Sequence, residues 1–230
     1  MSRSLLWPLL LLVLSLGLLG GLWLGHQSTN NTGDLPWNEA PPAVQAVMWP
    51  EPRDLGQFSL ISGDGQPFGP EQLKGRWSFF FFGYMACPDV CPSSLHAMGL
   101  MREMLGAEAT DDGKLQFVFV SVDPANDYPE AVGEYVTWYN DSFIGLTGLE
   151  DQVANLARRM AVRYEEYVDE NTGFRSIDHT SSLMIVDPEG RMVGALPPPL
   201  EPERMVRQFH LLRDHLERNH PVQRILARVF

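Results

Sequence analysis

The sequence contains few cysteines and little positive charge. Among 230 residues there are two cysteines, Cys87 and Cys91, and 17 lysines and arginines face 29 aspartates and glutamates, which gives a formal net charge of −12. Two thiols are too few for a disulfide-stapled scaffold, and a bridge closing so short a loop restricts the unfolded chain little. Because an acidic surface repels phosphate backbones, we expect no nucleic-acid partner.

The composition also argues against a disordered or fibrous protein. Hydrophobic residues make up 44% of the chain, charged residues 20% and aromatic residues 10%, as in ordinary globular proteins. Enough chain remains after the N-terminal apolar segment for one domain with a full core. A domain of that size needs no disulfide, so the two cysteines are predicted to serve chemistry rather than stability.

Charge is absent from Leu5 to Gly25. As a helix, this run would reach about 30 Å, the thickness of a bilayer core. Arg3 precedes it and the next lysine or arginine is Arg53, which predicts that the N-terminus lies in the cytoplasm and the rest outside. The run is longer than the apolar part of a signal peptide and no Ala-x-Ala site follows. We therefore predict an uncleaved membrane anchor over residues 1–25, with a cleaved signal peptide as the competing interpretation.

Residues 26–53 are polar and rich in proline, which predicts a semi-extended linker. A domain is expected over residues 54–220, followed by a tail over 221–230. Strands alternate with helices in this domain, which predicts an α/β fold with a central mixed sheet flanked by helices, the layout of thioredoxin. The predicted strands are 77–82, 115–122, 183–186 and 191–196, a hairpin turn is predicted at 64–65, and the predicted helices begin at Pro92 or cover 129–139, 152–161 and 202–218.

The segment from Cys87 to Pro92 lies where a predicted buried strand passes into a helix. Open α/β sheets place ligands at the carboxyl ends of their strands, and a helix N-terminus favours thiolate over thiol. Two thiolates four residues apart can bind one ion or form a disulfide. Soft-metal binding and redox chemistry are therefore both open for Cys87 and Cys91.

The spacing of the cysteines argues against two redox families. Thioredoxin-type oxidoreductases use Cys-x-x-Cys, whereas three residues separate Cys87 from Cys91. A peroxiredoxin would carry proline seven residues before its reactive cysteine and threonine or serine three residues before it. Cys87 has Phe80 and Tyr84 at those places, and Cys91 has Tyr84 and Pro88. Neither cysteine fits that pattern.

Four segments closely resemble the Sco/SenC family of copper-delivery proteins: FFFFGYMACPDVCPSSL, VFVSVDPANDYPE, FIGLTG and DHTSSLMIVDPEGRMV. The resemblance covers about residues 55–215. It implies a thioredoxin-like fold, copper held by Cys87, Cys91 and His179, and assembly of the binuclear copper centre of cytochrome c oxidase. One departure is Met85-Ala86, where many members carry Thr-His.

His179 gains its predicted role from this resemblance, because a lone loop histidine before the strand at Leu183 is otherwise as readily a solvated side chain. Thiolates select Cu(I), and a neutral imidazole as third ligand keeps a site able to hold Cu(II). Asp178 is a candidate for orienting the imidazole ring of His179.

The resulting hypothesis is a copper chaperone anchored in the bacterial inner membrane, with its C-terminal domain in the periplasm. It would deliver copper to the copper-receiving subunit of cytochrome c oxidase, or prepare the thiols of that subunit. The alternatives are a thiol–disulfide oxidoreductase acting on that subunit or on another copper chaperone, with Cys87 and Cys91 forming a disulfide when oxidised, and a copper or redox sensor. Whether the protein is an enzyme stays open between them.

Overall fold

The structure is a computed structural model and describes residues 37–106, 114–173 and 175–218. The fold below belongs to the unit Pro36–His215. The predicted anchor over 1–25, the first part of the predicted linker and the predicted tail over 221–230 lie outside the described residues. In the ranges that are described, no helix is long and apolar enough to span a membrane.

Strands and helices alternate in the middle of the described chain, and two short 3-10 helices lie at Trp37–Glu39 and Pro70–Leu73. The strands are β1 (Met48–Asp54), β2 (Leu60–Ser62), β3 (Pro67–Phe68), β4 (Trp77–Gly83), β5 (Leu115–Ser121), β6 (Ile144–Thr147), β7 (Tyr164–Val168), β8 (Arg175–His179), β9 (Leu183–Val186) and β10 (Arg191–Leu196). The α-helices are α1 (Pro42–Gln45), α2 (Val90–Leu105), α3 (Pro129–Thr137), α4 (Glu150–Arg159) and α5 (Pro202–Arg218).

The main sheet has the strand order β1-β10-β9-β4-β5-β6-β2-β3. Strands β4, β5 and β6 run parallel, and the other neighbours pair antiparallel, so the sheet is mixed as predicted. All seven residues of β4 and of β5 are buried, because both strands are central and covered on both faces. The carboxyl ends of β4, β5 and β6 therefore meet at one edge of the sheet.

The phenylalanine run of β4 supplies both faces of the core. Alternate side chains of a strand point to opposite faces. Phe79 stacks on Phe117 of β5 with ring centroids 4.9 Å apart and meets Phe209 of α5 edge-on at 4.9 Å. Phe80 belongs to a separate apolar cluster that includes Leu156 of α4. Burying each such side chain contributes about 1.5–3 kcal/mol, so this run holds the sheet between its helices.

Most predicted elements are found within about two residues of their expected bounds, and α2 begins at Val90, two residues before Pro92. Strand β1 lies largely in the segment assigned to the linker from its composition. It pairs with β10 at the edge of the sheet, where the prolines at 50 and 52 remove no hydrogen bond to a further strand. Strands β6, β7 and β8 were not predicted from the sequence.

Candidate metal centre

The structure brings Cys87, Cys91 and His179 together. The two thiol sulfurs and one imidazole nitrogen lie within 4.8 Å of one another, and Cys91 Sγ is 3.3 Å from His179 Nε2. Metal–sulfur and metal–nitrogen bonds in protein sites measure about 2.0–2.3 Å, so these atoms need little movement to share one ion. Cys87 lies in the loop after β4 and Cys91 in the first turn of α2, at the edge where the parallel strands end.

The two cysteines differ in exposure. Cys91 is fully buried, whereas Cys87 is half-buried and the residues between them, Pro88, Asp89 and Val90, are exposed. Gly83 makes room for the buried sulfur, because a Cβ at this position would lie 2.5 Å from Cys91 Sγ. The site therefore has one thiol that a partner can reach and one enclosed by the fold.

Burial raises the pKa of the Cys91 thiol far above its ordinary value. The backbone N–H of Tyr84 opposes this shift, while electrostatic interactions with Cys87 and Asp127 add to it. Our expectation that the helix N-terminus would favour the thiolate was wrong for Cys91, because desolvation of a buried charge outweighs the helix end. Without a metal, Cys91 is therefore a thiol at neutral pH.

His179 ends strand β8 and is oriented by the backbone. Its Nδ1 lies 3.2 Å from the carbonyl oxygen of Thr180, so Nδ1 donates there and leaves the lone pair of Nε2 facing Cys91. The ring packs edge-on against Phe81 and Tyr84, and burial lowers its pKa, which keeps it neutral. The carbonyl of Thr180, rather than the exposed Asp178, orients the ring.

A buried carboxylate, that of Asp127, supports the backbone just before the cysteine motif. Asp127 accepts the backbone N–H of Met85 at 3.0 Å and the hydroxyl of Ser121 at 2.6 Å. Desolvation raises the pKa of Asp127, with the charge of Asp123 adding to the shift. Met85 lies two residues before Cys87, so this contact fixes the start of the loop that carries the exposed thiol.

Asp123 and Arg175 also belong to the structure around the site. Arg175 of β8 donates two hydrogen bonds to Asp123, of 2.7 and 3.0 Å, and Asn126 donates to the same carboxylate. Sequence reasoning missed Asp127 and Arg175. The motif VDPANDY was the signal for Asp127, whereas nothing local distinguishes Arg175.

A surface cavity of about 740 Å³ adjoins His179. It lies between α4 and the β7–β8 hairpin and is lined by residues that include Ala157, Arg158 and Tyr164. The histidine can therefore be approached from the surface even though its ring is partly buried.

A mixed sheet flanked by helices, with a dithiol at the carboxyl ends of its parallel strands and a histidine facing it, defines a class of thioredoxin-like proteins suited to soft-metal binding or thiol exchange. The sequence model of the SCO1/SenC family matches residues 50–212. The chain belongs to this family, so the predicted membership is confirmed.

Relatives and solved structures agree with this assignment. A protein of Stutzerimonas stutzeri is 34% identical over 172 residues, which are 75% of this chain and 83% of that protein. Protein SCO2, mitochondrial, of Saccharomyces cerevisiae is 36% identical over 143 residues, which are 61% of this chain and 46% of that protein. The chain thus spans about half the length of the yeast relative.

Two structures of similar proteins were solved with copper bound. The ScoI protein of Arabidopsis thaliana is 28% identical, with a TM-score of 0.62 over 69% of this chain and 98% of that one. The ScoI protein of Bradyrhizobium japonicum is 30% identical, with a TM-score of 0.60 over 69% and 97%. The predicted α/β fold with its central mixed sheet is confirmed by these likenesses.

Proposed function

We propose that this protein is a copper chaperone in which Cys87, Cys91 and His179 hold one copper ion. The observation that carries the proposal is the convergence of two sulfurs and the Nε2 lone pair at the edge of the sheet. Two thiolates and an imidazole are ligands that suit Cu(I) and tolerate Cu(II). The copper in the two similar structures supports the same choice of ion.

The unequal exposure of the ligands suits delivery by ligand exchange. An entering thiolate of an acceptor protein can reach copper from the side of Cys87, whose neighbours are exposed, and can replace Cys87 and His179 in turn. Cys91, enclosed behind them, is the ligand that leaves last. Copper then moves without ever being released to water, and each leaving thiolate can regain a proton.

The acceptor that we propose is the copper-receiving subunit of cytochrome c oxidase, at its binuclear copper site. The proposed location is the bacterial inner membrane, with residues 1–25 as anchor, the N-terminus in the cytoplasm and the copper site in the periplasm. The uncharged run after Arg3 supports this orientation. Within the periplasm, a tethered domain could also meet other copper chaperones or thiol reductases.

A copper titration of the reduced protein tests copper binding. We expect one copper per chain, with a thiolate-to-Cu(II) charge-transfer band that is lost in Cys87→Ser and Cys91→Ser and altered in His179→Ala. His96→Ala is the matched control, because His96 lies exposed on α2 and should leave the band unchanged. A reduced protein that stays colourless and binds no copper would refute the carrier function.

A second candidate function is thiol–disulfide exchange, which the contrast between an exposed and a buried thiol favours. The thiolate of Cys87 would attack a disulfide of the partner and release one partner thiol. Cys91 would then attack the mixed disulfide, which releases the second partner thiol and leaves Cys87 and Cys91 oxidised to a disulfide. A cellular thiol reductant would have to supply two electrons for each turnover.

Oxidase assembly in cells separates the two functions. A carrier needs all three ligands, whereas thiol exchange needs the cysteines alone. If His179→Ala abolishes assembly as Cys87→Ser does, the carrier function is supported. Assembly that survives His179→Ala but fails with Cys87→Ser would establish the reductase instead.

A further inference from the structure

The hairpin formed by β7 and β8 delivers His179 without belonging to the main sheet. In the described residues, its two strands pair only with each other, from Tyr164 opposite His179 to Val168 opposite Arg175. The ladder hydrogen bonds of the main sheet therefore do not set the position of the histidine. Something else must hold this hairpin against the body of the protein.

One face of β8 makes the contacts with the body. Side chains two residues apart on a strand share a face, so Arg175, Ile177 and His179 point the same way. Ile177 is buried and its backbone N–H donates to the hydroxyl of Tyr84 at 3.3 Å. His179 faces Cys91, and Arg175 meets Asp123.

The contact between Arg175 and Asp123 has the features of a firm anchor. The guanidinium donates two N–H groups to the two carboxylate oxygens, a geometry that fixes orientation as well as distance. Asp123 is 3% exposed and follows β5, and both of its oxygens also accept hydrogen bonds from Asn126. The carboxylate therefore has a fixed place in the rigid part of the fold.

Arg175 also ties the two strands of the hairpin to each other. Its Nε and Nη2 donate to Glu166 of β7 at 2.8 and 3.0 Å. A single side chain thus connects β7, β8 and the end of β5. Four residues along an extended strand span about 13 Å, so Arg175 acts on His179 through the strand and not by touching the ion.

We propose that Arg175 is a positioning residue for the third metal ligand. Its two hydrogen bonds to Asp123 fix the hairpin against the body of the protein, so that His179 Nε2 stays beside Cys91 Sγ. This inference rests on the proposed three-ligand copper site and adds a residue that determines how well the third ligand is placed. Loss of this contact leaves both thiols in place, but in part of the molecules His179 no longer lies beside Cys91.

The test is Cu(I) affinity, measured on the reduced full-length protein by competition with a chelator. Arg175→Gln removes both the charge and the double hydrogen bond to Asp123, whereas Arg175→Lys keeps the charge but loses the double hydrogen bond. Arg191→Gln is the matched control, since Arg191 pairs at 2.7 Å with the equally buried Asp187 in the turn between β9 and β10. The control loses a similar ion pair at a place that carries no ligand.

We expect Arg175→Gln to weaken Cu(I) binding about tenfold, as is usual when support behind a metal ligand is lost. Arg175→Lys should fall between it and the wild type, and Arg191→Gln should bind copper like the wild type. In a His179→Ala background the effect of Arg175→Gln should shrink to about twofold or less, because no ligand remains for it to position. The rate of thiol alkylation should not change with Arg175.

Three results would overturn the inference. Wild-type copper affinity in both Arg175 variants would show that the contact with Asp123 is not needed to position the hairpin. An equal loss with and without His179, or an equal loss in Arg191→Gln, would show a general effect on stability. If His179→Ala itself binds copper like the wild type, the proposed ligand set fails, and this outcome is distinct because it does not involve Arg175.

Discussion

At the scale of single residues, the end of β4 determines the shape of the metal centre. Gly83 leaves space for the sulfur of Cys91, and the next residue, Tyr84, meets both halves of the site. Its backbone N–H interacts with Cys91. Its hydroxyl accepts the N–H of Ile177 and is also within hydrogen-bonding distance of Cys87. Two adjacent residues thus fix the buried thiol and connect it to the hairpin.

Gly83→Ala tests the need for that space. The added methyl would lie 2.5 Å from Cys91 Sγ and 3.0 Å from Phe119 Cε2, and both of these side chains are fully buried. We expect a loss of about 1–3 kcal/mol in the free energy of unfolding, together with weaker copper binding, because Cys91 is displaced. Urea unfolding and copper titration measure the two effects. Gly99→Ala on α2 is the matched control, because its added methyl would lie 3.2 Å from the carbonyl oxygen of Tyr139 and away from the thiols. Gly75→Ala is unsuitable, because its φ of +76° adds backbone strain.

Tyr84→Phe removes one hydroxyl and keeps the ring that packs on His179. The buried N–H of Ile177 loses its acceptor, which costs about 1–3 kcal/mol. We expect this loss in unfolding experiments, along with faster hydrogen exchange at the Ile177 amide. An amide that stays as protected as in the wild type would show that the tyrosine does not hold the hairpin.

The pH dependence of copper binding follows from two opposite shifts. Burial raises the pKa of Cys91, so copper must displace a proton there throughout the neutral range. Burial lowers the pKa of His179 from its ordinary value, so the imidazole contributes little to proton release in the neutral range. We expect copper affinity to rise at least about tenfold for each pH unit between roughly 6.5 and 8.

Competition titrations across that range, corrected for the protonation of the chelator, measure this dependence. Cys91→Ser should make this dependence shallower, because the proton that copper displaces from Cys91 is then absent. An affinity that does not change with pH in the wild type would mean that Cys91 is already a thiolate in the free protein.

At the scale of elements, the sequence predicted the strands and turns that a local pattern of residues encodes. The aromatic run of β4 and the apolar run of β5 are recognisable because every residue is buried, and Gly190 marks the turn between β9 and β10. Strands β7 and β8 carry exposed charged residues and owe their place to a few contacts with the body. Since those contacts join distant residues, such as Arg175 and Asp123, no local window contains them.

The metal centre divides in the same way. The two cysteines were identified from their spacing and from the strand–helix junction, and His179 from the family resemblance. That these three residues bind metal stays a prediction, although the structure brings them together. The residues around them depend on the folded chain: Tyr84, Asp127 and Arg175 meet the site through contacts 42 to 93 residues apart in sequence.

Strand β1 supplies the prediction at this scale, because composition alone assigned most of it to a semi-extended linker. Val47, next to the strand, is 3% exposed, and its carbonyl accepts the N–H of Ala195 of β10 at 2.8 Å. We expect Val47→Ala to lower the free energy of unfolding by about 1–3 kcal/mol through lost burial. Glu51→Ala, on an exposed position of the same strand, should change it by about 0.5 kcal/mol or less.

At the scale of the whole molecule, folding assembles a site that the unfolded chain lacks. Cys87 and Cys91 are close in any conformation, but His179 lies 88 positions after Cys91 in the sequence. The thiols come from the main sheet edge and the histidine from the hairpin, so the native arrangement of both is needed for three ligands. Copper should therefore stabilise the native state through the histidine more than through the cysteines.

Thermal unfolding with and without Cu(I) measures this coupling. At free copper 100-fold above Kd, binding to the native state alone contributes about 2.7 kcal/mol, which raises the Tm of a domain of this size by roughly 5–11 °C. His179→Ala leaves the same two cysteines in the folded and unfolded chains, so its copper-induced shift should fall to a small part of the wild-type value. A Cys87→Ser and Cys91→Ser double variant should show none. Equal shifts in the wild type and in His179→Ala would mean that the coupling of copper binding to folding comes from the cysteines and not from the histidine.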